Sequence, residues 1–342
     1  MHMNILIAGG CDYLGSHIYV ALRNAGYHPV LLGEFTATCF ESLKGLKKLL
    51  GCEPRFEAGH LQNRTWLRQQ IKRFQPFCTI YIEANRSSPS RPLSFGSTTD
   101  EGIENLLSLM QALDENSCRK IQFASSSTAY PKGGKNAHRE NVLLSPMLAI
   151  DHLPVLQEEL IRSVCSLRRD WSAAILRHFH VMGAHPSGCI GEPRGAGPHS
   201  LMSRLIHAAS TEGAIFEMDC HRNCTPDGSA VRDFVHVQDV AEAHVKALDT
   251  LLEYQDNFTV NIGTGRACSV HELLCALENT SGRRIPWKYS PAPQIEPAYC
   301  VADTRLSTEL LSWRAQLSTE IICADAWHWH SRHPPDSLRT HA

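Results

Sequence analysis

The chain of 342 residues lacks an excess of either charge: 33 lysines and arginines stand against 35 aspartates and glutamates. That balance excludes the basic stripe with which nucleic-acid binders meet phosphate, and no acidic block reads as a tail. Long apolar runs are missing as well; no window approaches the ~20 apolar residues that a membrane-spanning helix needs. No nucleic-acid partner and no membrane partner are therefore expected. The opening MHMNILIAGG has only a short apolar run before a glycine turn and no small-residue cleavage site, so it reads as a first strand and not a signal peptide. Internal repeats and low-complexity tracts are absent. Cysteine is plentiful, but its 13 copies are odd in number and show no paired spacing. That excludes a disulfide framework and points to reduced thiols in the cytoplasm. The 19 histidines are dispersed. Only Cys220, His221 and Cys224 offer metal ligands at close spacing, and with no second ligand pair nearby the segment reads as a surface loop; no metal is expected.

What the chain does have is 43% hydrophobic residues, enough for one large or two linked domains. Short β-rich runs, NILIA, PVLL (29–32), RFEA (55–58), CTIYI (78–82), KIQFA (120–124) and AAILR (173–177), alternate with helical patterns near 14–25, 64–74, 100–113 and 155–169. This alternation predicts an α/β fold, a doubly wound parallel sheet of Rossmann type covered on both faces. From about Val181 the Gly- and Pro-rich VMGAHPSGCIGEPRGAGPHS breaks the pattern and marks a second, smaller α/β region with helices near 200–210, 238–252, 270–279 and 319–330. The expected domains are 1–180 and 181–342, with about 233–262 returning to the first.

The stretch AGGCDYLGSH, residues 8–17, follows the first strand and opens the first helix. A dinucleotide fold needs there a sharp turn, backbone close to a pyrophosphate, and a helix N-terminus facing it. Gly9 and Gly15 suit the turn and the helix N-terminus, but Asp12 stands where a middle glycine is expected, with Tyr13 and Leu14 beside it. A carboxylate about 5 Å from a phosphate charge, at an effective dielectric near 20, costs roughly 3 kcal/mol, over a hundredfold in affinity. The alternative is that Asp12 turns outward and caps the helix. At the end of the second strand Gly33 occupies the place of the ribose-binding acid and Glu34 stands next to it.

Taken with FASSSTAY, LRHFHVMGAHPSG, VRDFVHVQDVAEAHVKAL, NIGTG, PAYCVAD and WHWHSRHP, this turn resembles UDP-glucose (UDP-galactose) 4-epimerase of the extended short-chain dehydrogenase/reductase superfamily, in collinear order over essentially the whole chain. The resemblance implies NAD in the N-terminal domain, a UDP-sugar between the domains, and a homodimer built on the helices at 100–113 and 155–169. It implies hydride removal from C4 of the hexose and its return to the other face, with a tyrosine as base, its pKa lowered by a lysine four residues later. Ser126 matches the serine that assists it. At the tyrosine and lysine positions the chain has Met147 and Asp151, and no tyrosine anywhere is followed four places later by lysine.

The resemblance assigns further cofactor contacts to Ser125, to His60 in place of an acidic residue near the adenine, and to Leu61; the loop at 82–88 is shortened. On the substrate side Arg232 matches the diphosphate-binding arginine. Leu201, Ala214, Phe216 and Tyr299 match the uridine pocket, while His180 and Ser200 replace asparagines. The expectation is a sugar-nucleotide binder with weakened NAD binding and without standard epimerase chemistry. Its alternative is an active NAD-dependent nucleotide-sugar epimerase, or a related isomerase or dehydratase, using Tyr130, His152, Asp151 or His180. For the helix before Leu156, Asp151 is expected to cap and Pro154 to fit the first turn.

Overall fold

A computed structural model describes residues 3–83, 97–131, 134, 136–146, 151–193, 200–221, 225–254, 256–291 and 297–333, with 97–100 described by backbone alone. The strands are β1 (Asn4–Ala8), β2 (His28–Gly33), β3 (Phe56–Ala58), β4 (Cys78–Ile82), β5 (Lys120–Ser126), β6 (Ser172–His178), β7 (His180–Met182), β8 (Phe216–Cys220), β9 (Val231–Arg232), β10 (Phe234–His236), β11 (Phe258–Ile262), β12 (Cys268–Ser269), β13 (Trp287–Pro291) and β14 (Tyr299–Cys300). The helices are α1 (Tyr13–Asn24), α2 (Ala37–Leu50), α3 (Arg64–Phe74), α4 (Ser97–Glu115), α5 (His152–Leu167), α6 (Leu201–Ser210), α7 (Val237–Tyr254), α8 (Val270–Ser281), α9 (Arg305–Leu311) and α10 (Thr319–Arg332).

Continuous apolar strands such as Ile5-Leu6-Ile7 are stable only where both faces are covered, which is the setting of a parallel sheet. Seven strands run parallel in the order β11-β6-β5-β4-β1-β2-β3. Their side chains alternate between two cores, as the period of a strand requires. Ile5, Ile7, Leu31, Ile80 and Leu176 meet α1, α2 and α7 on one face, through residues such as Ile18, Leu46 and Val240. Leu6, Val30, Leu32, Ile121 and Phe123 meet α3, α4 and α5 on the other, through Leu67, Leu106 and Ile161. The doubly wound Rossmann sheet expected from the sequence is the observed one.

The chain beyond Asp233 supplies α7 to the first of these cores and β11 to the sheet edge, where Phe258 pairs with Ala174 and Ile262 with His178. A third core of Met202, Leu205, Phe216, Met218, Leu273 and Ile322 joins α6, β8, α8 and α10. The helix α2, closed by Gly51 in a left-handed conformation, was not among the expected elements. The helix α5 begins at His152, three residues before the expected start, with Pro154 in its first turn where no amide partner is lost.

Candidate functional site

In an open α/β sheet ligands bind outside the carboxyl ends of the strands. The turn after β1 lies there, and its glycines are required by space. Gly9 has φ +90, and a Cβ on it would fall 2.1 Å from the Ile82 carbonyl oxygen. A Cβ on Gly15 would fall 1.5 Å from the Gly10 carbonyl oxygen. Asp12 occupies the N-cap position of α1, but its side chain makes no capping hydrogen bond. The capping alternative is thus corrected: the backbone (φ −131, ψ −141) lies outside the extended region from which an Asp carboxylate reaches the N2 or N3 amide. Burial pushes the Asp12 carboxyl up to about 6, so at neutral pH a desolvated carboxylate sits in the turn.

Tyr13 donates its hydroxyl to the Gly183 carbonyl at 2.7 Å, tying the turn to the segment after β7. Leu14 packs against the α1–α7 core. Glu34 and His60, assigned separately to the adenosine side, come together (Oε1 to Nδ1, 3.2 Å). Leu61 is buried in the second core, 3.6 Å from where a Gly9 Cβ would lie. The shape of the turn fits a dinucleotide; the Asp12 charge does not.

Ser126, at the carboxyl end of β5, accepts the Thr128 amide at 3.2 Å and so caps a single 3-10 turn over Ser127–Ala129. Ser125 faces the opposite way and donates to Glu158 Oε1 at 2.5 Å. Glu158, fully buried on α5, takes a two-pronged bond from Arg177 on β6 (Nη2 to Oε2, 2.7 Å; Nε to Oε1, 2.9 Å) and a third donor from Arg162 at 2.6 Å. With three donor groups its carboxyl is held below its ordinary range despite burial.

Arg177 extends the network to Tyr130, donating to its hydroxyl at 3.0 Å, and Tyr130 donates in turn to Asn261 Oδ1 at 2.6 Å. Burial pushes the Tyr130 phenol up to about 12, the opposite of what a base at neutral pH requires. Met147 lies outside the described residues. Asp151 is buried at the N-cap position of α5 and forms no side-chain cap, against expectation; its αR backbone (φ −72, ψ −14) is already helical. His152 follows on the exposed start of α5.

On the other side, Arg232 is 4% exposed on β9, and its Nη1 donates to the Val231 carbonyl at 3.1 Å. His180, at the start of β7, packs edge-on against Phe234. Its pKa falls to about 3, first through burial and then through the Arg232 charge, and its Nδ1 finds no partner among the described residues. Tyr299 lies half-buried on β14, whose Cys300 registers with Arg232. Phe216 is buried under the Arg204 guanidinium, with Ala214 half-buried before it. Ser200 forms a capping box with Ser203 ahead of Leu201 and also donates to Glu192 Oε2 at 2.7 Å. Cys220 and His221 are half-buried, Cys224 lies outside the described residues, and no group of three metal-ligating side chains occurs among the described residues.

Three structural partners escaped the sequence reading: Glu158, Asn261 and Glu192. The first two are polar positions inside apolar patterns, a signal that a buried bond awaits them; Glu192, within a Gly/Pro loop, carried none.

A glycine turn at the carboxyl end of a seven-stranded parallel sheet defines a nucleotide-binding α/β protein of the Rossmann type. Residues 5–263 match the NAD dependent epimerase/dehydratase family. The UDP-glucose 4-epimerase of Bacillus subtilis (strain 168) is 31% identical over 334 residues, covering 96% of this chain and 97% of that protein. The human UDP-glucose 4-epimerase is 31% identical over 347 residues, 98% of each chain. Among solved structures, a UDP-glucose-4-epimerase from Stenotrophomonas maltophila with bound NAD and formylated UDP-arabinopyranose has a TM-score of 0.88 at 28% identity, covering 96% of this chain and 98% of that one. The chain belongs to the NAD dependent epimerase/dehydratase family, among its UDP-glucose 4-epimerase-like members.

Proposed function

We propose that this protein is a cytoplasmic, homodimeric binder of UDP-sugars that holds NAD weakly and does not run the family's usual proton relay. Residues 1–180 with 233–262 form the cofactor domain in this reading, and the rest of 181–342 the sugar-nucleotide domain. One observation carries it: Tyr130, the tyrosine four residues beyond Ser126, is spent on Arg177 and Asn261 with its phenol pushed up to about 12. The absence of any tyrosine four residues before a lysine supports the same reading.

NAD supplies a hydride acceptor when bound. Gly9, Gly15, Glu34 and His60 are the residues that would hold it, and Asp12 opposes its diphosphate. Arg232 neutralises the diphosphate of the sugar nucleotide, as a fixed planar cation does well. His180, neutral at pH 7, offers a hydrogen bond in place of an amide, and Leu201, Ala214, Phe216 and Tyr299 enclose the uridine. Ser126 orients a sugar hydroxyl without a partner to remove its proton, and lost acid/base help removes about 10²-fold to 10⁴-fold of rate.

Calorimetry with UDP-glucose and UDP-galactose, set beside a long incubation for interconversion with added NAD, tests the proposal. Saturable binding without product is expected. Turnover overturns it in favour of the active alternative, and absence of binding overturns the sugar-nucleotide site.

A further inference from the structure

Glu83 directly follows β4, and its place is set by Ile82, whose carbonyl oxygen lies against Gly9 of the nucleotide turn. Its side chain turns to the α4 and α5 face, as that of Tyr81 does two residues before. Tyr81 donates its hydroxyl to Glu83 Oε2, and Gln157 on α5 donates its amide to the same oxygen at 2.7 Å. On α4 the neighbour is Gly102, where a Cβ would fall 3.2 Å from that oxygen and 2.7 Å from Leu153 in the first turn of α5. An ionised carboxylate only accepts, and both groups offer it protons. Burial, and then the Glu83 charge, pushes the Tyr81 phenol up, so it remains a donor. Gln157, fully buried, gives its amide nitrogen to Glu83 and to the Gly102 carbonyl at 3.1 Å, while its Oε1 has no partner among the described residues. Together these bonds fix a half-buried negative charge at the carboxyl end of β4.

The strand order β5-β4-β1-β2-β3 decides which part of a dinucleotide meets that charge. With the pyrophosphate at the turn after β1 and the adenosine at Glu34 and His60 after β2 and β3, the other nucleoside runs the opposite way, over β4 and β5. Its ring is nicotinamide, a cation when oxidised and neutral when reduced. We infer that Glu83 makes this site selective for the oxidised cofactor, NAD+ over NADH. The inference rests on the NAD site of the proposed function and makes Glu83 a specificity residue, with no part in proton transfer. At an effective dielectric near 20, a carboxylate within about 8 Å of the ring cation favours NAD+ by more than tenfold. Asp12 works in the same direction, because NADH carries one negative charge more than NAD+, so variants are needed to separate the two carboxylates.

Calorimetric titration of the full-length protein with NAD+ and with NADH tests this without any turnover. Wild type is expected to bind NAD+ at least tenfold more tightly than NADH. Glu83→Gln, which keeps an acceptor for Tyr81, is expected to lose most of that ratio by weakening NAD+ while NADH affinity holds. Equal affinities in wild type, or an unchanged ratio in Glu83→Gln, overturn the inference and leave the cofactor site standing. If neither form binds at millimolar concentration, the cofactor reading of the turn falls and the inference with it. Asp12→Gly keeps the test decisive should Glu83→Gln fail to fold: a tenfold preference for NAD+ that survives removal of Asp12 supports Glu83 as its source, and a preference that disappears with Asp12 overturns the inference.

Discussion

Acid should unfold this protein through buried histidines. His178 on β6 and His244 on α7 meet Nε2 to Nε2 at 3.0 Å, and His244 Nδ1 lies 2.9 Å from Gln122 Oε1. Two neutral rings satisfy this chain when His244 donates from Nδ1 to the amide oxygen and accepts at Nε2 from His178. Protonating either ring buries a charge in a site where His244 is 0% and His178 7% exposed. Burial accordingly lowers His178 to about 3 and His244 in the same direction. His17 behaves alike, at about 3, with Nδ1 donating to the Tyr13 carbonyl at 2.7 Å and Nε2 buried without a partner among the described residues.

Unfolded histidine titrates near 6.5, so below that pH the unfolded chain takes up protons that the native one refuses. The stabilisation is complete above about 6.5 and is lost as pH falls toward 3. At pH 5 each such histidine forfeits about 2 kcal/mol, so His17 and His178 together forfeit about 4, a large part of a typical 5–15 kcal/mol. Raised carboxyls such as Asp12 act with the opposite sign, native protonation exceeding unfolded between about 4 and 6, so a variant is needed to isolate the term. Urea unfolding followed by tryptophan fluorescence should show His178→Gln losing about 2 kcal/mol less than wild type between pH 7.5 and 5. Equal acid losses in the two proteins would refute the reasoning.

Asp12→Gly should tighten NAD binding by about a hundredfold, since roughly 3 kcal/mol of repulsion is removed. For wild type, affinity should rise as pH drops through about 6 and Asp12 becomes neutral, and calorimetry of the glycine variant should show no such slope. Glu158→Gln leaves the Arg177 charge buried and underpaired and should cost about 3–5 kcal/mol in denaturant unfolding; a loss below about 1 would show that the pair is solvated. Met147→Tyr alone should give no epimerase turnover in a coupled assay, because no lysine stands four residues later to lower the phenol.

The sheet was legible because five-residue apolar strands and amphipathic helices carry their periods in the sequence, and parallel pairing follows from their alternation. The small sheets were not: β9, β12 and β14 have two residues each, too few to show any period. Asp12 illustrates a different limit. Aspartate favours N-caps, yet the dihedral that decides whether it caps is set by the Gly9–Gly15 turn packing on Ile82 and Gly10. The polar network eluded prediction because Tyr130 and Asn261 stand 131 residues apart, so neither position announces the other.

Retention of VRDF illustrates how a motif can serve two ends. Asp233 spends its carboxylate wholly on the fold, accepting the Thr264 amide and hydroxyl at 2.7 and 2.6 Å, the Gly265 amide at 2.9 Å and the Ala302 amide at 3.1 Å. Those bonds clamp the loops after β11 and β14, and any sequence that keeps this fold has reason to keep the aspartate. Arg232, buried beside it on β9, gives one of its donors to the Val231 carbonyl. The residues that unfolding would penalise, Glu158, Arg177 and Asp233, each hold several bonds within the fold.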